Sequence, residues 1–160
     1  MSSCSALFPL PALLLVAGCG GGEPDPGSDC GPQAESTLEI GTGLKEFVPL
    51  QDGDPLPLIR GSQGGVHLEL ALRARGIDAG DLLGGEFQGS IDGENLATAR
   101  PWVDFRCNNK VDTLDAWGFI LVYEVDPPDV YGLNTLVTAR VTDLLGTSVE
   151  TSINLQITEP

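Results

Sequence analysis

The chain of 160 residues has room for one ordinary domain with a single core. Its 41% hydrophobic and 19% charged residues lie in the soluble globular range and argue against global disorder. Eight Lys and Arg against 23 Asp and Glu give a net charge of −15, which on average repels nucleic acid and anionic lipid headgroups. The 21 Gly and 12 Pro disfavour long helices and favour short strands joined by tight turns.

From Leu7 to Ala17 runs the apolar stretch LFPLPALLLVA. It falls short of the roughly 20 residues a bilayer-spanning helix needs and reads as the core of a secretion signal. Val16-Ala17-Gly18-Cys19 follows at once and resembles the lipobox of bacterial lipoproteins. That resemblance implies a signal peptide over residues 1–18, cleavage before Cys19, diacylglycerol on the Cys19 sulfur and a further acyl group, such as palmitate, on its new amine. More than one chain makes a stable anchor, because each buried methylene contributes about 0.8 kcal/mol. Gly20 stands where an Asp would favour retention at the inner membrane, so the resemblance implies an outer-membrane lipoprotein facing the periplasm or the cell surface. One departure is that MSSCSALFPLP carries no Lys or Arg, whereas such signals usually open with positive charge. Residues 19–36 are dominated by Gly, Pro and acids and are expected to be a flexible tether, with the domain over 37–160. Cys4 leaves with the signal and Cys19 carries lipid, so Cys30 and Cys107 remain as an even pair in an oxidising compartment, where a disulfide is expected.

Short strand-like runs at Leu38 to Gly41, Lys45 to Leu50 and Leu56 to Arg60 open the domain. From Val66 to Arg73 every second residue is a large aliphatic, which predicts a half-buried strand with Val66, Leu68, Leu70 and Leu72 inward. Ile77 to Leu83 suggests a helical turn capped by Asp78. Between Glu86 and Arg100 the dipeptide Asp92-Gly93 marks a type I′ hairpin turn, in a register pairing Ile91 with Glu94 and Gly89 with Leu96. Trp117 to Val125 is apolar on both faces, as expected of a central strand covered from two sides. Val137, Ala139 and Val141 alternate with polar residues, as do Val149, Thr151, Ile153, Leu155 and Ile157.

About eight strands with regular turn signals predict an all-β fold, an antiparallel β-sandwich of immunoglobulin-like or fibronectin-like type, with a small barrel as the alternative. Cys30, ahead of the first strand, departs from the inter-sheet Cys pair of true immunoglobulin domains. The stretch GTGLKEFVPLQDGDPLPLIRGSQGGVHLELALRARG resembles uncharacterised secreted lipoproteins of soil bacteria in which a GTG, a DGD turn and a QGG-x-H recur. That likeness brings no activity with it.

Chemistry finds little purchase. His67 is the sole histidine, faces outward and has no G-x-S-x-G element to serve, so it reads as a surface residue. Zinc lacks ligands, and Gly41-Thr42-Gly43 lacks the third Gly of a dinucleotide fingerprint and reads as a bulge or turn. Acidic pairs at Asp52 and Asp54, Asp92 and Glu94, and Asp126 and Asp129 offer oxygen ligands for calcium without a recognised spacing. Arg73, Arg75, Arg100, Arg106 and Lys110 either gather locally or, as surface cations more often do, stand as scattered solvated charge, which is the favoured reading. Trp102 shares an outward face with Asp104 and Arg106, opposite Val103, Phe105 and Cys107. It either plugs a core edge or stacks on a sugar or a partner side chain. The expectation is therefore a lipid-anchored, non-catalytic envelope protein without cofactor, partnered by the membrane and an envelope protein or glycan. The alternatives are a small subunit of a surface assembly or a divergent hydrolase built on Asp112 and Asp115.

Overall fold

The structure, a computed structural model, describes residues 30–31, 33, 35–61, 65–80 and 82–160. Cys19, the signal and most of the tether lie outside the described residues. Twelve strands run in chain order: β1 (Thr37–Thr42), β2 (Val48–Pro49), β3 (Pro55–Pro57), β4 (Ile59–Arg60), β5 (Val66–Arg75), β6 (Leu83–Ile91), β7 (Glu94–Ala99), β8 (Trp102–Val103), β9 (Arg106–Asn108), β10 (Thr113–Tyr123), β11 (Asn134–Thr142) and β12 (Ser148–Thr158). Among the described residues one 3-10 turn covers Pro127–Asp129.

Two sheets face each other. The first has the order β2-β1-β5-β10-β9 with β4 on β5, the second β3-β12-β11-β6-β7 with β8 on β6. All pairs are antiparallel except β3 with β12. The long strands thus form β1-β5-β10-β9 opposite β12-β11-β6-β7, the A-B-E-D and G-F-C-C′ orders of an immunoglobulin-like sandwich. The predicted segment Leu56 to Arg60 divides between the sheets, β3 pairing with β12 and β4 with β5, and Leu58 is fully buried where it crosses.

The alternation of β5 buries Val66, Leu68, Leu70 and Leu72 as its spacing requires. They meet Phe87 of β6, Val137, Ala139 and Val141 of β11, and Leu155 and Ile157 of β12 in one core. Phe87 and Phe119 pack at 5.2 Å between centroids. Tyr123 is buried, and its hydroxyl meets Thr135 Oγ1 at 2.7 Å; since that oxygen already donates to Ser90 O, the tyrosine must be the donor. Burial pushes the Tyr123 phenol up to about 12.

Four expectations need correction. Residues 77–80 form no helical turn; Asp78 Oδ1 instead accepts from Gly80 N at 3.4 Å, in a connection between sheets too short for a helix to repay its nucleation. The Asp92-Gly93 turn has positive φ at both residues and pairs Ile91 with Glu94 as expected, but a bulge then sets Gly89 opposite Ala97, leaving Leu96 as the extra residue. Leu96 O accepts from Glu124 N at 3.2 Å, so the bulge ties β7 to the end of the chain's other sheet. β10 is covered on one face only: a second bulge at Gly118 (φ 82°) turns Phe119, Leu121 and Tyr123 inward and leaves Ile120 and Val122 about half exposed. Cys107 does not share the inward face of Val103 and Phe105, because β8 and β9 belong to different sheets and the alternation breaks between them; Cys107 is exposed.

Candidate functional site

Four charged residues stand opposite one another across the outer face of the first sheet. Glu39 of β1 pairs with Arg73 of β5, Arg73 with Asp115 of β10, and Asp115 with Arg106 of β9, giving alternating sign across four strands. Arg73 Nε and Nη2 donate to the two oxygens of Asp115 at 2.8 Å each. Asn108 Nδ2 and Thr113 Oγ1 donate to the same carboxylate at 2.9 and 3.0 Å, so Asp115, only 4% exposed, has four bonds. Its desolvation alone would raise its pKa; the bonds from Arg73, Asn108 and Thr113 outweigh that and hold it below the ordinary carboxylate range.

The loop between β1 and β2 lies across this face. Gly41 permits it, since a Cβ there would stand 2.4 Å from Val48 O and 2.5 Å from the Phe47 ring. Gly43, at φ 122°, accepts at its carbonyl from Gly118 N at 3.1 Å, which anchors the loop to the bulge of β10. The Gly-Thr-Gly run is thus a device for close backbone approach, and it places Phe47 under the Arg73 guanidinium at 4.2 Å. Between this loop and the β9–β10 turn lies an open concavity of about 400 Å³, whose rim includes Arg106, Asn109, Lys110 and Trp117. Arg106 lies 5.4 Å over the Trp117 ring and 3.6 Å from Asp104, both ends of that ion pair well exposed. Arg73, Arg106 and Lys110 therefore gather at one concavity, the less favoured of the two arrangements their sequence left open.

Beside the rim, Cys107 is bonded to Cys30, Cα to Cα 5.8 Å. The bond joins the segment ahead of β1 to β9 on one edge and does not cross between the sheets.

A comparison of the chain with protein-family models yields no match, and neither does a comparison with curated proteins.

The remaining predicted residues lie apart from the concavity. Trp102 is on β8 at the edge of the second sheet, 73% exposed, and plugs no core edge. Its cross-strand partner Gly84 has open space where a side chain would stand, so the indole does not lie over it. His67 is on the outer face of β5, opposite Ile59 and Val122. Asp112 occupies the β9–β10 turn at φ 50°, its carbonyl accepting from Arg75, and Asp115 is engaged as above. Asp52 and Asp54 each accept from a backbone N–H, of Asn154 and Gln51, and among the described residues no three of His, Cys, Asp and Glu are grouped to hold a metal ion. Period-two reading placed Arg73 outward but gave no hint of Asp115, 42 residues away, because that pairing is a matter of strand register.

Proposed function

We propose that the protein is a non-catalytic module of the cell envelope, held at the membrane by lipid on Cys19, that binds an envelope glycan or protein through the concavity on its first sheet. The observation that carries this reading is the saturated Asp115. A carboxylate with four short bonds and a depressed pKa is a scaffold, since a general acid or base must exchange its proton near the working pH. What the concavity presents outward is the cations Arg106 and Lys110, the amides of Asn108 and Asn109 and the Glu46 carboxylate beside an indole, groups suited to holding a polar ligand. Arg106 and Asn108 of β9 and Trp117 of β10 are held on the sheet, which favours binding by lowering its ordering cost.

The reading is tested by pull-down of isolated envelope fractions with the full chain, its Arg106→Ala/Lys110→Ala variant and its Trp102→Ala variant. The concavity reading expects retention by wild type and by Trp102→Ala, and loss with the double variant. Equal retention of all three would remove the concavity as the site.

A further inference from the structure

Among the described large apolar side chains left in water, the three most exposed are Leu145 (78%), Trp102 (73%) and Leu144 (67%). Strand register places all three at one end of the sandwich. Trp102 pairs with Gly84, Gly84 with Thr142 and Thr142 with Ser148, which is the last rung before the β11–β12 turn that carries Leu144 and Leu145. Leu82, 49% exposed, immediately precedes β6 on the same side. The turn is firmly built: Asp143 Oδ1 accepts from Leu145 N at 2.9 Å and Thr147 N at 2.8 Å, and Asp143 N donates to Thr147 O at 2.9 Å. Leu144 packs on the β5–β6 connection, where a Cβ on Gly80 would stand 2.4 Å from its Cδ1. Two leucines are thus held outward by structure.

The chain enters the domain at this same end. Thr37 opens β1 opposite Arg75 at the end of β5, Ser36 Oγ donates to Gly76 O at 2.9 Å, and Cys30 is bonded to Cys107 next to that rung. Cys30 stands only 11 positions after Cys19, a reach of at most about 40 Å. Acidity is unequal along the same axis. At or beside the tether end Arg75, Arg106 and Lys110 stand among Glu35, Asp78, Asp112 and Asp143, whereas Asp92, Glu94, Glu124, Asp126, Asp129 and Glu159 lie at the other, where β6, β10 and β12 finish. An anionic surface would therefore meet the less acidic end of a strongly acidic molecule.

We infer that this end is a membrane-docking surface: Leu144, Leu145, Leu82 and Trp102 enter the interfacial layer of the bilayer that carries the Cys19 lipid, and fix the orientation of the sandwich upon it. The inference rests on the proposed anchor, which brings the surface to the bilayer, and not on any ligand of the concavity. Tryptophan suits that layer because its ring is apolar while its N–H reaches water, and leucine adds apolar area to bury.

The test is tryptophan quenching in the mature chain on vesicles of phosphatidylethanolamine and phosphatidylglycerol with brominated acyl chains. The signal of Trp102→Phe is subtracted, so that Trp117 does not contribute. The expected result is a blue shift and strong quenching assigned to Trp102, lost in Leu144→Ser/Leu145→Ser and retained in Leu133→Ser at the opposite end. Near-ultraviolet circular dichroism establishes that each variant is folded. The same measurement on the chain with a histidine tag in place of residues 1–18, Cys19→Ala, and nickel-chelating lipid in the vesicles separates docking from acylation. Quenching there would support docking even were Cys19 found unacylated. Trp102 left unquenched on the vesicle, quenching indifferent to the two leucines, or a concentration-dependent Trp102 shift without lipid, which would indicate a second copy of the chain, would each overturn the inference.

Discussion

Asp115 shows how much a single side chain can depend on its neighbours. It is nearly buried, which disfavours its charge, and Arg73, Asn108 and Thr113 all donate to it. Removing a partner from a buried ion pair typically costs about 3–5 kcal/mol; Arg73 keeps partial contact with water, so Asp115→Asn is expected to destabilise the fold by about 2 kcal/mol in urea unfolding. The sign with pH follows from the depressed native pKa. The contribution is present in full above the unfolded value of about 3.9 and is lost as pH falls through the lower native value. Wild type should therefore lose stability on acidification below about pH 4 more steeply than Asp115→Asn, and equal acid dependence of the two would show that the pair contributes nothing.

At the scale of elements, the disulfide ties the entry of the chain to β9, the strand that presents Arg106 and borders the concavity. Closing a loop of 77 residues contributes up to about 4.5 kcal/mol in the chain-entropy model. Cys30→Ser/Cys107→Ser is expected to lower stability by a good part of that while the inter-sheet core stays formed, which the near-ultraviolet signal of Tyr123 and its neighbours would report; an unchanged denaturation midpoint would contradict it. Strands whose pattern is local were legible in the sequence: β5, β11 and β12 alternate, and Asp92-Gly93 states its own turn type. The two bulges were not, because nothing local distinguishes Leu96 or Gly118 as the extra residue until the partner strand is known. Ile120 and Val122 misled for a related reason. Apolar character on both faces of β10 suggested two covering layers, and the fold supplies only one. The candidate site was illegible because Arg73, Asp115 and Arg106 meet through register across three strands, and Phe47 reaches them through a loop whose path depends on Gly41 and Gly43.

For the molecule as a whole, the sandwich is polarised. Its entry segment, its disulfide and the most exposed apolar side chains among the described residues share one end, which is less acidic than the other. A lipid at Cys19 would give that arrangement a purpose, placing the apolar end at the bilayer and the acidic end toward solvent. The anchor is the premise of the functional reading, and it is read directly by the intact mass of the chain purified from envelope membranes, with Cys19→Ala fractionated alongside. The account predicts a mature chain beginning at Cys19 with the mass of diacylglycerol and a further acyl group added, and a Cys19→Ala chain absent from the lipoprotein fraction. A chain that retains residues 1–18, or one that begins at Cys19 without added lipid and is recovered in the soluble fraction, would contradict it.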